Sequence, residues 1–154
     1  MNRWRVIVSE VNFERSLYVA CALTGASDEY IDGIENLKRT LEVVHGINVL
    51  HFLGLGPQSP LEVYEWDIEE CVSKCSAFLG IYAGVNSDGR GYETRVAVER
   101  RIPMLGVALK TDRVSKVITG AYEKHDQPFA IVRNLQDDVP PMAARQFKDI
   151  YDML

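Results

Sequence analysis

The sequence predicts an α/β protein, a doubly wound Rossmann- or flavodoxin-like sandwich with a five-stranded parallel sheet flanked by helices. Three observations carry this. Short, continuous apolar runs over 16–23 and 77–83 suit strands buried on both faces. Between such runs, apolar residues recur at helical spacing. The two kinds of segment alternate along the chain, the pattern of βαβ units with right-handed crossovers.

The elements follow in order. Residues 1–15 take no firm assignment, with an edge strand or arm at 5–9. A first strand is expected over 16–23. Ser27 then suits an N-cap, with Asp28 and Glu29 in the first turn. Ile31, Ile34, Leu37, Leu41 and Val44 form an apolar stripe that Gly46 ends, and His45 beside it favours the helix dipole. A second strand is expected over 47–52 and an irregular loop over 54–60. The next helix, 61–75, places Leu61, Tyr64, Ile68, Cys71, Val72 and Cys75 on one face and Glu62, Glu65 and Glu69 on the other. A third strand over 77–83 leads through a loop containing Gly89 and Gly91 to a helix over 92–101. A fourth strand (102–109), a short helix (112–120), a fifth strand (129–133) and a closing helix (141–154) complete the chain. Met142, Phe147, Ile150, Tyr151 and Leu154 supply the last stripe. Residues 1–154 read as one domain without repeats or linkers.

Composition narrows the function. At 154 residues and 47% hydrophobic content the chain is long enough for a full core. A net charge of −5 argues against general binding of nucleic-acid polymers or anionic membranes, which require basic patches. No apolar run approaches the ~18 residues of a membrane span, and the N-terminal apolar stretch is too short for a signal peptide. Cytoplasmic residence is therefore expected. Cys21, Cys71 and Cys75 are odd in number and fall in expected core positions, so neither a disulfide framework nor a metal site is assigned. His45, His51 and His125 are isolated. The glycine loop is neither a G-x-G-x-x-G nor a P-loop, and no cofactor is expected.

Two carboxylates stand out against this background. Asp67 lies three after Tyr64 and four before Cys71, inside the apolar stripe rather than with the neighbouring glutamates. Glu93 lies three and four before Val96 and Ala97 and so heads the apolar stripe of its own helix. An ionised carboxylate buried unpaired costs several kcal/mol, so an inward acid needs a partner or an open cleft. Two such acids on helices flanking one strand read as a site. In open parallel sheets, ligands bind beyond the carboxyl ends of the strands.

Three stretches carry a resemblance: Tyr18-Val-Ala-Cys-Ala-Leu-Thr-Gly25, Glu65-Trp-Asp67-Ile-Glu69, and Asn86-Ser87-Asp88-Gly89-Arg90-Gly91-Tyr92-Glu93. With Val114-Ser115-Lys-Val-Ile118-Thr-Gly120, they resemble the nucleoside 2-deoxyribosyltransferase superfamily, and most closely its 2′-deoxynucleoside 5′-phosphate N-hydrolases. The resemblance implies that Glu93 is the nucleophile at the anomeric carbon, that Asp67 is the acid assisting at sugar and base, and that Tyr18 lies near the nucleophile. It implies a 5′-phosphate loop at Ser87, Gly89 and Gly91. Ser115 matches a serine that reaches the phosphate from a neighbouring subunit, which implies a homodimer or higher homo-oligomer. Asp88 falls near a base-binding aspartate of the transferases, one residue out of register.

The first loop departs from the hydrolases. Where they carry Gly-Ser-Ile-Arg-Gly-Gly, this chain has Cys21-Ala22-Leu23-Thr24-Gly25-Ala26, and Leu23-Thr24-Gly25 resembles the transferase side. Arg90 reads equally as a replacement positive charge or as a solvated loop residue, and Arg95, Arg100 and Arg101 read as a solvated or ion-paired face. The resulting expectation is an N-glycosidase acting on a small nucleoside or nucleoside 5′-monophosphate through Glu93. The alternatives are a base-exchanging deoxyribosyltransferase and a non-catalytic nucleotide sensor.

Overall fold

The computed structural model describes residues 11–51 and 59–151. Among these the order is β1 (Ser16–Ala20), α1 (Asp28–Val43), β2 (Asn48–Val49), α2 (Pro60–Tyr64), a π-helix (Glu65–Val72) and β3 (Ala77–Ile81). There follow α3 (Asp88–Glu99), β4 (Met104–Leu109), α4 (Lys116–Lys124), β5 (Phe129–Val132), α5 (Leu135–Gln146) and α6 (Lys148–Tyr151). The expected arm at 5–9, most of the 54–60 loop, Phe52 and Leu154 lie outside the described residues.

The five strands form one parallel sheet in the order β2-β1-β3-β4-β5, the flavodoxin-like arrangement expected. Side-chain alternation sorts the strand residues into two layers. Leu17, Val19, Leu79, Ile81, Leu105 and Val107 pack against α1 and α5. Tyr18, Ala20, Phe78, Tyr82, Met104 and Ala108 face the π-helix, α3 and α4. Gly80 and Gly106 are opposite each other in the register of β3 and β4 and leave room on this second face. A Cβ on Gly80 would meet the hydroxyls of Tyr82 and Tyr122 at 2.5 and 2.6 Å, and one on Gly106 would collide with the Phe129 ring. The space holds a Tyr82–Tyr122–Phe129 cluster with ring centroids 5.3–5.8 Å apart.

The structure corrects several boundaries. Ser27 caps α1 as expected, its hydroxyl accepting the Tyr30 N–H at 3.1 Å. The buried stripe ends at Leu41, however, because the chain leaves the helix through Gly46 at φ +66°, and Val44 is exposed. Lys38 joins the buried residues in its place, its ammonium 3.4 Å from Glu35. Helix α3 begins at Asp88, four residues before the expected start, because Ser87 caps it and its hydroxyl accepts the Arg90 N–H at 3.3 Å. Gly89 and Gly91 therefore lie within the helix, and Glu93 sits in its second turn. Helix α4 starts four residues late, capped by Ser115. Asn134 caps α5, which accommodates Pro140 and Pro141 rather than starting there.

The largest surprise is in the expected 61–75 helix. Leu61 and Tyr64 are exposed, whereas Trp66, Asp67 and Ile68 are consecutively buried. A 3.6-residue period does not give that pattern, but the wider π turn does, and the Ser73 N–H and hydroxyl both reach back five residues to the Ile68 carbonyl.

Candidate active site

The β1/β3 boundary is where the strand order reverses, and three polar side chains meet there on the second face of the sheet. Tyr18 comes from β1, Asp67 from the π-helix that precedes β3, and Glu93 from the helix that follows it. All are nearly inaccessible, Asp67 at 9% and Glu93 at 8% exposure. Asp67 and Glu93 line one cavity of about 550 Å³, whose remaining described wall is mainly apolar.

Burial dominates the electrostatics. It raises the Asp67 carboxyl to about 6, with the Lys38 charge opposing. It raises Glu93 to about 8, with Asp67 as the second cause, while the Tyr18 hydroxyl and the Arg90 charge act in the opposite direction. The Tyr18 phenol is pushed well above its ordinary 10.0 by burial and then by the two carboxylates. Among the described residues, Tyr18 Oη and Glu93 Oε2 have no partner at hydrogen-bond geometry. Buried polar atoms are normally satisfied; these two groups adjoin each other, their interaction lowering Glu93 and raising Tyr18, and leave hydrogen-bonding capacity unfilled inside the protein.

The remaining residues expected in the site divide between two places. Asp88 and Gly89 line the carboxylate cavity. Ser87, Asp88, Gly91 and Ser115 line a neighbouring cavity of about 590 Å³, between the N-termini of α3 and α4, to which Arg90 and Arg113 contribute. Among the described residues only Asp88 borders both. Ser115 thus shares a cavity with Ser87 within a single chain. Thr24 and Gly25 form an exposed turn, where the Ala26 N–H donates to Leu23 and Gly25 takes φ +77°, outside both cavities.

Arg90 is not a solvated loop residue. It is 6% exposed, its guanidinium donates to the Ile81 and Ala83 carbonyls at 3.1 and 3.4 Å, and it lies 5.3 Å from the Tyr82 ring. It ties the end of β3 to the first turn of α3, one turn from Glu93. Thr94 completes this wall through Tyr82 Oη at 2.7 Å. Arg95 is ion-paired with Glu99 at 2.7 Å, as a solvated face would be. Sequence reasoning missed Arg113 and the mouth residue Tyr92, and it misplaced Tyr64 in the core. The Ser87-Asp88 pair was the available signal for the earlier helix start that buries Arg90.

No known family model and no curated protein sequence matches the chain. Solved structures do match. The CMP N-glycosidase of Clostridium botulinum superposes with TM-score 0.63 at 17% identity, over 83% of this chain and 98% of the other. A conserved protein from Enterococcus faecalis V583 gives 0.64 at 10%, over 87% and 97%. A 2-deoxyribosyltransferase from Bacillus psychrosaccharolyticus gives 0.56 at 16%, over 79% and 88%. At such identities the likeness establishes the fold: this chain has the fold of the nucleoside 2-deoxyribosyltransferase-like proteins that its motifs resemble.

Proposed function

We propose that the protein is an N-glycosidase that releases the free base from a nucleoside 5′-monophosphate or nucleoside through a covalent glycosyl-Glu93 intermediate. The observation that carries this is the pair of buried acids in one cavity, Glu93 held to about 8 and Asp67 to about 6. Between those values the pair holds one proton, the state a nucleophile and an acid need together. The pair's proton, which burial keeps on Glu93 in the free protein, passes to Asp67. The Glu93 carboxylate then attacks the anomeric carbon as the N-glycosidic bond breaks, and the bonding pair leaves with the base. Asp67 delivers the proton that neutralises the departing base. Water then attacks the glycosyl ester, its proton returning to Asp67, and frees Glu93. Tyr18 orients the carboxylate as charge shifts.

Ser87, Gly91, Arg90 and Ser115 supply the anion-binding end for a 5′-phosphate, Ser87 and Ser115 being the N-caps of two helices that border the cavity. Composition adds cytoplasmic residence to this reading, and the resemblance at Ser115 adds a homo-oligomer. A base-exchanging deoxyribosyltransferase is the second reading, favoured by Ala22 and Thr24 where the hydrolases carry serine and arginine. The two differ in whether water or a base resolves the ester. A panel of nucleosides and 5′-monophosphates, with and without acceptor base, tests both. Base release from a monophosphate without acceptor is expected. Release that needs an acceptor overturns the hydrolase, and saturable binding with no turnover by any substrate overturns the enzyme.

A further inference from the structure

Two large aromatic side chains stand half-exposed at the mouth of the carboxylate cavity, and among the described residues their ring contact is with each other. Tyr64 is 42% and Tyr92 52% exposed, and both line the cavity. Each travels with an acid: Tyr64 is three residues before Asp67, and Tyr92 immediately precedes Glu93. They meet from separate helices, ring centroids 6.0 Å apart at 70°, hydroxyls 3.5 Å apart. Val63 and Ile68 extend this into an apolar wall above the acids. A sugar, polar along every edge, gains little from such a wall. A planar aromatic leaving group gains the stacking energy of its face.

We infer that Tyr64 and Tyr92 form the platform on which the leaving nucleobase stacks, and that this platform selects substrates by their aromatic face. The inference rests on the N-glycosidase reading and deepens it. Rings in edge-to-face contact leave no slot between them, so the base lies against the cavity side of the pair. There its glycosidic nitrogen is held over the two acids. Every base has a π-face, so recognition of this kind tolerates both purines and pyrimidines.

The test measures binding in a Glu93→Gln protein, which holds nucleotides without consuming them. CMP and AMP are compared with ribose 5-phosphate, which has the same charged end and no base. Both nucleotides are expected to bind at least tenfold more tightly than the sugar phosphate. Adding Tyr64→Ala and Tyr92→Ala together should weaken both nucleotides by about 10- to 100-fold and leave ribose 5-phosphate unchanged. Tyr64→Phe with Tyr92→Phe keeps the rings and should keep the affinity. The side chains are exposed, so the variants are expected to fold, and circular dichroism checks this. An unchanged ratio of nucleotide to sugar-phosphate affinity in the alanine variant overturns the platform. So does equal weakening of all three ligands, or a changed oligomeric state with unchanged affinities, which would make the pair a contact between copies. Base release by the wild-type protein is scored separately: release with an unaltered ratio sinks the platform alone. Absence of release while the rings still govern base binding sinks the N-glycosidase reading alone.

Discussion

Replacing Glu93 with glutamine should make the protein more stable in alkali while abolishing base release. The carboxyl is held at about 8 in the folded protein against an ordinary value of 4.5. A carboxyl raised on folding contributes stability that is fully present below about pH 4.5 and is lost as pH rises through about 8. At ~1.4 kcal/mol per pH unit, the full separation corresponds to ~5 kcal/mol between acid and alkali. Glutamine has no such titration. The raised value of Asp67 is present in both proteins and cancels in the comparison. The amide keeps an acceptor oxygen for the Tyr18 hydroxyl, so it gives up little that the protonated carboxyl had. The variant and wild type should therefore be about equally stable at pH 5, and the variant ahead by ~3–5 kcal/mol at pH 9.

For a chain of this length ~1 kcal/mol moves Tm by about 2–4 °C, so the advantage at pH 9 should be roughly 6–20 °C. Thermal melts of both proteins at pH 5, 7 and 9, with urea midpoints as a second probe, measure it. A Tm difference that stays constant across this range would show that Glu93 does not titrate as a buried group, and the reasoning about the pair would fall with it. The same variant should lose several orders of magnitude in base release, because the covalent path is gone. If it keeps more than about a tenth of the wild-type rate, a loss below ~1.4 kcal/mol, Glu93 is not the nucleophile.

Further outcomes follow from the same geometry. The pH profile of kcat/KM should be bell-shaped, rising as one carboxyl deprotonates near 6 and falling as the second deprotonates near 8; a flat profile from pH 5 to 9 would contradict a shared proton. Ser87→Ala should slow monophosphate cleavage about tenfold or more, one charge-assisted hydrogen bond being ~1.5–3 kcal/mol, and leave nucleoside cleavage unchanged. An equal effect on both substrates would reduce Ser87 to a helix cap. Gly106→Ala should destabilise the fold by ~1–3 kcal/mol through overpacking against Phe129 and Tyr122, and an unchanged Tm would show that the aromatic cluster can give way.

How far the sequence led depended on which physical rule governed each stretch. The sheet was legible because β1 and β3 are buried on both faces, and continuous apolar runs have few other uses. The inward placement of Asp67 and Glu93 was legible too, since helical spacing set both apart from the solvated glutamates. The π-helix was not. Its wider turn buries Trp66 and exposes Tyr64, so a 3.6-residue template put Tyr64 in the core when it stands at the mouth of a cavity. At α3 the two glycines outweighed the capping signal of Ser87, and Arg90 passed for a loop residue when it is a buried cross-brace. The separation of Ser87 and Ser115 from the acids depends on which side of α3 each residue faces, and four residues of error in its start concealed that.

The placement of the acids also decides between two opposing electrostatic effects. Asp67 follows α2 without a break in the helical backbone, and Glu93 lies in the second turn of α3. The helix dipole falls off within a first turn, so it favours the ionised form at either by no more than ~0.3–1 kcal/mol. Desolvation acts the other way, and for Glu93 the separation between 4.5 and about 8 makes the net opposing effect several times larger. Burial therefore wins, and the free protein keeps a proton on Glu93 at neutral pH. An anionic 5′-phosphate in the adjoining cavity would favour that proton further, so its passage from Glu93 to the ionised Asp67 needs a positive charge beside Glu93. The oxocarbenium-like sugar formed as the base departs supplies that charge, arising beside the carboxyl only when the bond begins to break. A nucleophile that becomes fully anionic only alongside the developing cation is stabilised more in the transition state than in the ground state. That difference, rather than tight substrate binding, is what accelerates the reaction.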